Sequence, residues 1–241
     1  MKQRPFLISG YIGIGVVIVG LVMLALAPSE TGPLPRGFFT PIVALEFARS
    51  ERLVLELFGP AGSPLRESVL LALRRGVWLD FLFMLLYGGF LFTFARRCAQ
   101  LTGRRLYQMA AIVAVVAVIA DAVENIQLLQ IMNGVEQTNS VADLLLLQIS
   151  TWLKWGSLAI LFLLLIPFLR NSNPLGRFAA MVSAVPIVFG MLAYLGPGAI
   201  TEFFALSIST TILLLIAFAL TYESQPVLAA RPKDDEEFGP F

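Results

Sequence analysis

Six long apolar runs limit the folds open to this chain. A helix needs about 20 mainly apolar residues to cross a bilayer, and in lipid only helices and closed barrels satisfy their own backbone hydrogen bonds. The predicted spans are residues 6–27, 77–95, 106–132, 144–169, 178–195 and 201–222. The sequence therefore predicts an all-α fold, a polytopic transmembrane helical bundle of six spans that forms one membrane domain over residues 1–222.

Composition supports a lipid bilayer as the main partner. Hydrophobic residues make up 58% of the chain and charged residues 14%, against about 25% charged in a soluble domain. The net charge of +1 gives no argument for nucleic acid. The only cysteine, Cys98, excludes intrachain disulfides and is expected to be an idle thiol.

Histidine is absent, which excludes several kinds of site. These are His-ligated haem, zinc and di-iron centres, together with Ser-His and Cys-His nucleophile pairs. The sequence assigns no metal site and names no cofactor. Carboxylate oxygens, which suit hard cations, are the remaining metal ligands.

Lysine and arginine in the short loops predict the orientation. One side of the predicted bundle carries Lys2, Arg4, Arg96, Arg97, Arg104, Arg105, Arg170, Arg177, Arg231 and Lys233. The opposite short loops at 133–143 and 196–200 carry none, and the long segment at 28–76 carries six. Both termini are therefore expected in the cytoplasm. The protein is expected in the inner membrane of a prokaryote. The first run could be read as a secretory signal, but its length and Pro28 after Ala27 favour a retained helix.

The long segment at 28–76 is predicted to be an outer amphipathic segment. Thr40 and Pro41 fit the start of a helix and Gly59-Pro60 its end. The pattern favours a helix lying flat on the outer interface, with a lid over an intramembrane site as the alternative. Ser63-Pro64 is expected to start a further helix that continues into the second span. The tail, 223–241, is expected to be cytoplasmic and disordered.

The spans contain two further signals for helix geometry. Glycines in residues 10–20 favour close packing of the first span against a neighbour. Pro186 is expected to kink the fifth span.

A cluster of polar residues in the third span is the strongest functional signal. Asp121, Glu124 and Asn125 follow a run of apolar residues, and their offsets of three and four place them on one helix face. An intramembrane acid costs about 2.5–3.5 kcal/mol on insertion scales. Small residues, Ala110, Ala114 and Ala117, continue this face, which suits contact with protein.

Three other residues are predicted to converge on this face. Lys154 falls near the middle of the fourth span, and Asp80 and Tyr87 lie in the second. Because an unpaired charge at that depth is costly, Lys154 is expected to pair with Asp121 or Glu124. The acids outnumber the lysine, so a carboxyl keeps its proton, an arginine from the outer segment reaches in, or a cation binds.

Several polar residues have a simpler interpretation. Asp80, Asp143 and Glu202 each lie near the membrane boundary and, taken alone, are expected to be solvated charges. Asn125, Ser150, Thr151 and Ser157 are expected to serve as polar contacts between helices.

Three classes of function remain open at this point. The favoured one is an outward-facing intramembrane pocket, formed by Asp121, Glu124 and Asn125 with Lys154, that binds a lipid-like or small polar ligand or a cation. The second is an outer-leaflet enzyme with carboxylate acid/base chemistry. The third is an accessory or assembly subunit, with a protein partner, in which the polar cluster joins helices. Apolar stretches at 112–120 and 158–168 disfavour a path through the membrane.

Overall fold

The computed structural model describes residues 4–141 and 144–223, and these residues form helices and loops without a strand. The helices are α1 (Leu7–Leu26), α2 (Pro41–Glu46), α3 (Glu51–Phe58), α4 (Pro64–Thr102), α5 (Arg105–Thr138), α6 (Leu145–Arg170), α7 (Pro174–Val182), α8 (Val185–Leu195) and α9 (Ala199–Thr221). The expectations for Lys2, Asp143 and residues 224–241 lie outside the described part of the chain.

Six helical stretches within the described residues are long and apolar enough to cross a membrane. They are α1, α4, α5, α6, α7 with α8, and α9, and each coincides with a predicted span. The predicted all-α helical membrane bundle is confirmed. The fourth helix, with 39 residues, is roughly 58 Å long at 1.5 Å per residue, so it extends well beyond a bilayer core of about 30 Å.

The fifth span is divided in two at the predicted proline. Helix α7 ends at Val182 and α8 begins at Val185, with Pro186 in the first turn of α8. Proline has no N–H to donate to the carbonyl four residues earlier, so the Val182 carbonyl loses its helical partner. The predicted kink is confirmed as a break.

The bundle is organised around α5, which packs along both α4 and α6. The alanines that the sequence places on its inner face, Ala110, Ala114 and Ala117, are buried. Helix α1 packs against α4 and α9, and α8 packs against α9. The polar face of α5 therefore lies between two neighbouring helices and away from lipid.

Both ends of the described chain meet at one end of the bundle. The Arg4 guanidinium lies 2.9 Å from the Glu223 carboxylate, and the Phe6 ring packs against those of Phe94 and Tyr222. We call this the termini end. The opposite, connector end carries residues 27–63, the connector between α1 and α4.

The connector departs from the single flat helix that the sequence predicts. Its helical part is split into α2 and α3 by residues 47–50. The predicted boundaries at Thr40-Pro41 and Gly59 are confirmed, as is the start of α4 at Ser63-Pro64. The helix is interrupted because residues 43–48 are drawn into the bundle and buried, whereas Arg49 and Ser50 are exposed. Ser50 is the N-cap of α3.

Two glycines allow α1 to approach α9 closely, as the sequence predicts. A Cβ atom on Gly13 would lie 2.6 Å from Ile216, and one on Gly10 would lie 2.6 Å from Leu220. Both distances are shorter than van der Waals contact. Gly20, in the same helix, has room, because its Cβ would lie 3.4 Å from Phe83.

This packing predicts different effects for two identical substitutions. Gly13→Ala should destabilise the protein by about 1–3 kcal/mol, because the added methyl group forces α1 away from Ile216. Gly20→Ala should leave stability nearly unchanged. The midpoint of denaturant unfolding in detergent measures both, and equal midpoints for the two variants would contradict the close α1–α9 contact.

Candidate functional site

The Lys154 side chain is the centre of the polar site. It projects from α6, roughly 14 Å along the helix from Leu145 at 1.5 Å per residue, and only 6% of its surface is exposed. Its Nζ forms ion pairs with the carboxyl groups of Asp121, Glu124 and Glu46. One ammonium group thus connects three helices, α2, α5 and α6.

Two of these partners are the acids predicted from the third span. Lys154 Nζ donates to Glu124 Oε1 and lies 3.3 Å from Asp121 Oδ1. Asp121 and Glu124 are buried, as their position on the inner face of α5 requires. The predicted pairing of Lys154 with these acids is confirmed.

The third partner, Glu46, is not among the residues that the sequence predicts for the site. Its Oε1 accepts from Lys154 Nζ at 3.2 Å and its Oε2 accepts from the Trp155 indole at 3.0 Å. Glu46 is the last residue of α2 and is 7% exposed. One sequence signal could have identified Glu46. It is the single acid in the apolar stretch 42–48, which lies outside the predicted spans.

Helix α4 completes the site from the other side. The Tyr87 hydroxyl donates to Asp121 Oδ2 at 2.6 Å, and the Asn125 amide donates to Asp80 Oδ2 at 2.7 Å. All six predicted site residues therefore come together, and Asp80 is a member rather than an isolated boundary charge. We call Glu46, Asp80, Asp121, Glu124 and Lys154 the ion cluster.

The cluster contains four carboxyl groups and one ammonium group. Arginine does not correct the imbalance among the described residues. Arg49 and Arg66 donate to backbone carbonyls, Arg74 pairs with Glu136, Arg52 pairs with Glu56, and Arg75 is exposed. The sequence leaves three ways of balancing this charge. Among the described residues, the structure does not contain the one in which an arginine of the connector reaches the cluster.

Two of the buried acids have an oxygen without a hydrogen-bond partner among the described residues, Asp121 at Oδ1 and Glu124 at Oε2. Both oxygens of Glu46 accept hydrogen bonds, and Asp121 Oδ2 accepts from Tyr87. A buried oxygen without a donor is costly for a carboxylate, so Asp121 and Glu124 are the carboxyl groups best suited to carry a proton. The unpartnered oxygen of Asp121 lies 3.3 Å from the ammonium group, whereas that of Glu124 is not the oxygen that accepts from Lys154.

A metal cage is not formed by these acids. The residues that the structure describes contain no group of three or more His, Cys, Asp or Glu side chains arranged to hold a metal ion. Lys154 Nζ itself lies between three of the carboxyl groups. The preorganised cation in the cluster is thus the ammonium group.

Helix α2 closes the cluster at the connector end. Thr151 donates to the Glu46 carbonyl, and Gln148 donates to the Ala48 carbonyl, both at 3.2 Å. Both carbonyls lie at or just beyond the end of α2, where no following helical turn supplies an N–H donor. The side chains of α6 supply the donors instead. The sequence predicts an open pocket at this position, whereas the structure has α2 seated over it.

A second buried carboxylate holds the other end of α2. Glu202 Oε1 accepts from the backbone N–H groups of Thr40 at 2.7 Å and Phe39 at 3.0 Å. The prediction that Glu202 is a solvated boundary charge is wrong, since it is buried. A carboxylate in the first turn of α9 is an ordinary helix feature, and only the tertiary contact with the connector reveals its role.

The aromatic residues near the cluster form a separate apolar wall. The Phe47 ring packs edge-on against Trp152, with centroids 5.2 Å apart. Lys154 Nζ lies 5.0 Å from the centroid of the Trp155 ring, within cation–π range. The ammonium group is therefore covered by Trp155 on one side and by Glu46 of α2 on another.

Comparisons of the chain with protein-family models, curated proteins and solved structures found no match.

The buried position of Lys154 predicts a large effect of neutralising it. Lys154→Met should destabilise the protein by about 3–5 kcal/mol, because it leaves buried acids without their cation. Unfolding midpoints of the purified variant measure this. Arg52→Met provides the control, since it breaks an exposed ion pair with Glu56 and such pairs contribute little. Similar losses in both variants would contradict the central place of Lys154.

The contact of Glu202 with the connector predicts faster opening of α2 when it is lost. Glu202→Leu should raise hydrogen exchange of the amides in residues 39–48 by about tenfold or more, because bonds to a charged acceptor contribute about 1.5–3 kcal/mol each. Hydrogen-exchange mass spectrometry in nanodiscs measures this. Ser209→Ala is the control, since the Ser209 hydroxyl donates to the Ala205 carbonyl within α9. Unchanged exchange in Glu202→Leu would contradict the role of Glu202 in holding the start of α2.

Proposed function

We propose that the protein is an integral membrane protein whose ion cluster binds a positively charged ligand, with a proton as its resting occupant. The observation that carries this proposal is the ratio of four carboxyl groups to one ammonium group in a buried site. Uncompensated negative charge inside a membrane is costly. Protons or another cation must offset it.

The hydrogen bonds support Glu124 as the proton-carrying group. Its Oε2 lacks a partner in the described structure, whereas both oxygens of Glu46 accept hydrogen bonds. Asp121 Oδ1 also lacks a hydrogen-bond partner among the described residues, but it lies 3.3 Å from the Lys154 ammonium group. Asp80 has one donor, Asn125, and is only half-buried. In this proposal Glu124 exchanges its proton and Asp80 lies toward the rim of the site.

Access to the cluster runs through the connector. Helix α2 and its C-cap contribute Glu46 and Phe47 to the cover of the site. Among the described residues, each hydrogen bond that joins this segment to α6 or α9 involves at least one side chain. Movement of α2 away from α6 would remove one carboxyl group from Lys154 and expose the remaining acids. Because the exposed site is still rich in carboxylates, it favours cations, including the amine of a small or lipid-like molecule, over anions.

The orientation of the chain gives this site an outward-facing position. Lysine and arginine are concentrated in the loops of the termini end and the terminal segments, which the positive-inside rule assigns to the cytoplasm. The connector end then faces outward. In this proposal the protein lies in the inner membrane of a prokaryote and samples cations from the outside.

A structural role is the second candidate, and one observation favours it. Most polar groups of the cluster bond across helices, joining α2, α4, α5 and α6. Such contacts contribute about 0.6 kcal/mol on average in membrane proteins. In an accessory or assembly subunit, the cluster would fix helix positions and bind nothing.

Infrared spectroscopy at neutral pH separates the two candidates. We expect the purified protein to show the carbonyl stretch of a protonated, buried carboxylic acid, and Glu124→Gln to remove it. Addition of methylammonium should release protons into a weakly buffered solution, and the release should fall in Glu124→Gln.

The matched control is Glu136→Gln, which neutralises a more exposed acid paired with Arg74 at the same end. It should leave both signals unchanged. Absence of the protonated-acid band in the wild type, together with no proton release, would falsify the proposal and leave the structural role.

A further inference from the structure

A cleft at the termini end lies far from the ion cluster and is lined by basic residues. It has a volume of about 450 Å³ between the start of α1 and the last third of α4. Its lining residues are Arg4, Pro5, Leu7, Ile8, Ser9, Phe92, Thr93, Arg96, Arg97 and Gln100. Three arginines therefore face one cleft, and no acid among the described residues belongs to its lining.

The three arginines differ in how much of their binding capacity is already used. Arg4 pairs with Glu223. Arg97 Nη1 donates to Gln100 at 3.0 Å, but its Nε is buried without an acceptor among the described residues. Arg96 is exposed. Guanidinium groups bind phosphate through two parallel N–H bonds, and the exposed guanidinium of Arg96 supplies donors suited to a phosphate group.

The remaining wall of the cleft is apolar and opens toward lipid. Ile8 is 75% exposed and Phe92 is 39% exposed, and both lie on helices long and apolar enough to span the membrane. Leu7 is the first residue of α1, so the cleft lies where that helix begins and the polar terminal segment ends. This is the level at which lipid head groups meet acyl chains.

We propose that this cleft binds the phosphate head group of an anionic membrane lipid, whose acyl chains lie along Ile8 and Phe92. The arginines supply charge complementarity, and the apolar wall distinguishes a lipid from a free anion. The cleft belongs to the end of the bundle that the sequence assigns to the cytoplasm. Basic pockets between helices on that side are typical sites for anionic lipids.

Native mass spectrometry of the full chain tests this with two defined lipids. The wild type, supplied with equal amounts of phosphatidylglycerol and phosphatidylcholine, should retain phosphatidylglycerol preferentially. Arg96→Gln with Arg97→Gln should weaken retention by about fivefold for each charge removed, whereas Arg96→Lys with Arg97→Lys should weaken it less. If the double variant does not fold, Arg96→Gln alone replaces it in the test, because it changes only an exposed side chain.

The matched control removes the same charge from the same end of the bundle. Arg104→Gln with Arg105→Gln changes two exposed arginines outside the cleft and should preserve the preference. The proposal is overturned if this control loses phosphatidylglycerol as strongly as the cleft variant, or if the wild type shows no preference between the lipids. It is also overturned if excess inorganic phosphate displaces the lipid, because the site would then serve a soluble anion.

Discussion

The contact of one buried ammonium group with three carboxyl groups determines how the polar interior of this bundle is arranged. Lys154 cannot stay charged at that depth without partners, and Asp121 and Glu124 on α5 provide two of them. The third, Glu46, comes from the connector. The need to balance charge therefore both fixes α5 against α6 and draws a loop segment into the membrane domain.

This arrangement explains why the connector does not lie flat on the surface. Val43 and Phe47 have the apolar character of an interfacial helix, but Glu46 between them requires a cation in an apolar environment. Lys154 is that cation, and Thr151 and Gln148 donate to the carbonyls at the end of α2. Helix α2 is consequently held at both ends, by Glu46 at one and by Glu202 at the other. Most of its apolar residues between these two attachments are buried in the hydrophobic core.

The two ends of the bundle have opposite electrostatic character. Acids are concentrated around Lys154 near the connector, whereas Arg4, Arg96 and Arg97 gather at the termini end. The acidic site is buried within protein, whereas the basic cleft is bordered by exposed apolar side chains. The two proposals rest on different residues, so either can fail while the other stands.

The sequence by itself determined the six spans, because long apolar runs have few alternatives in a bilayer. It also determined the helix face of Asp121, Glu124 and Asn125, because helical periodicity is local. Pairing with Lys154 followed from the cost of burying an unpaired charge. Only the tertiary structure decided the roles of Glu46 and Glu202, because each depends on a contact more than 100 residues away in the chain. The closing of the site by α2 was decided in the same way, since local pattern cannot distinguish an amphipathic helix on the membrane surface from one packed into the protein.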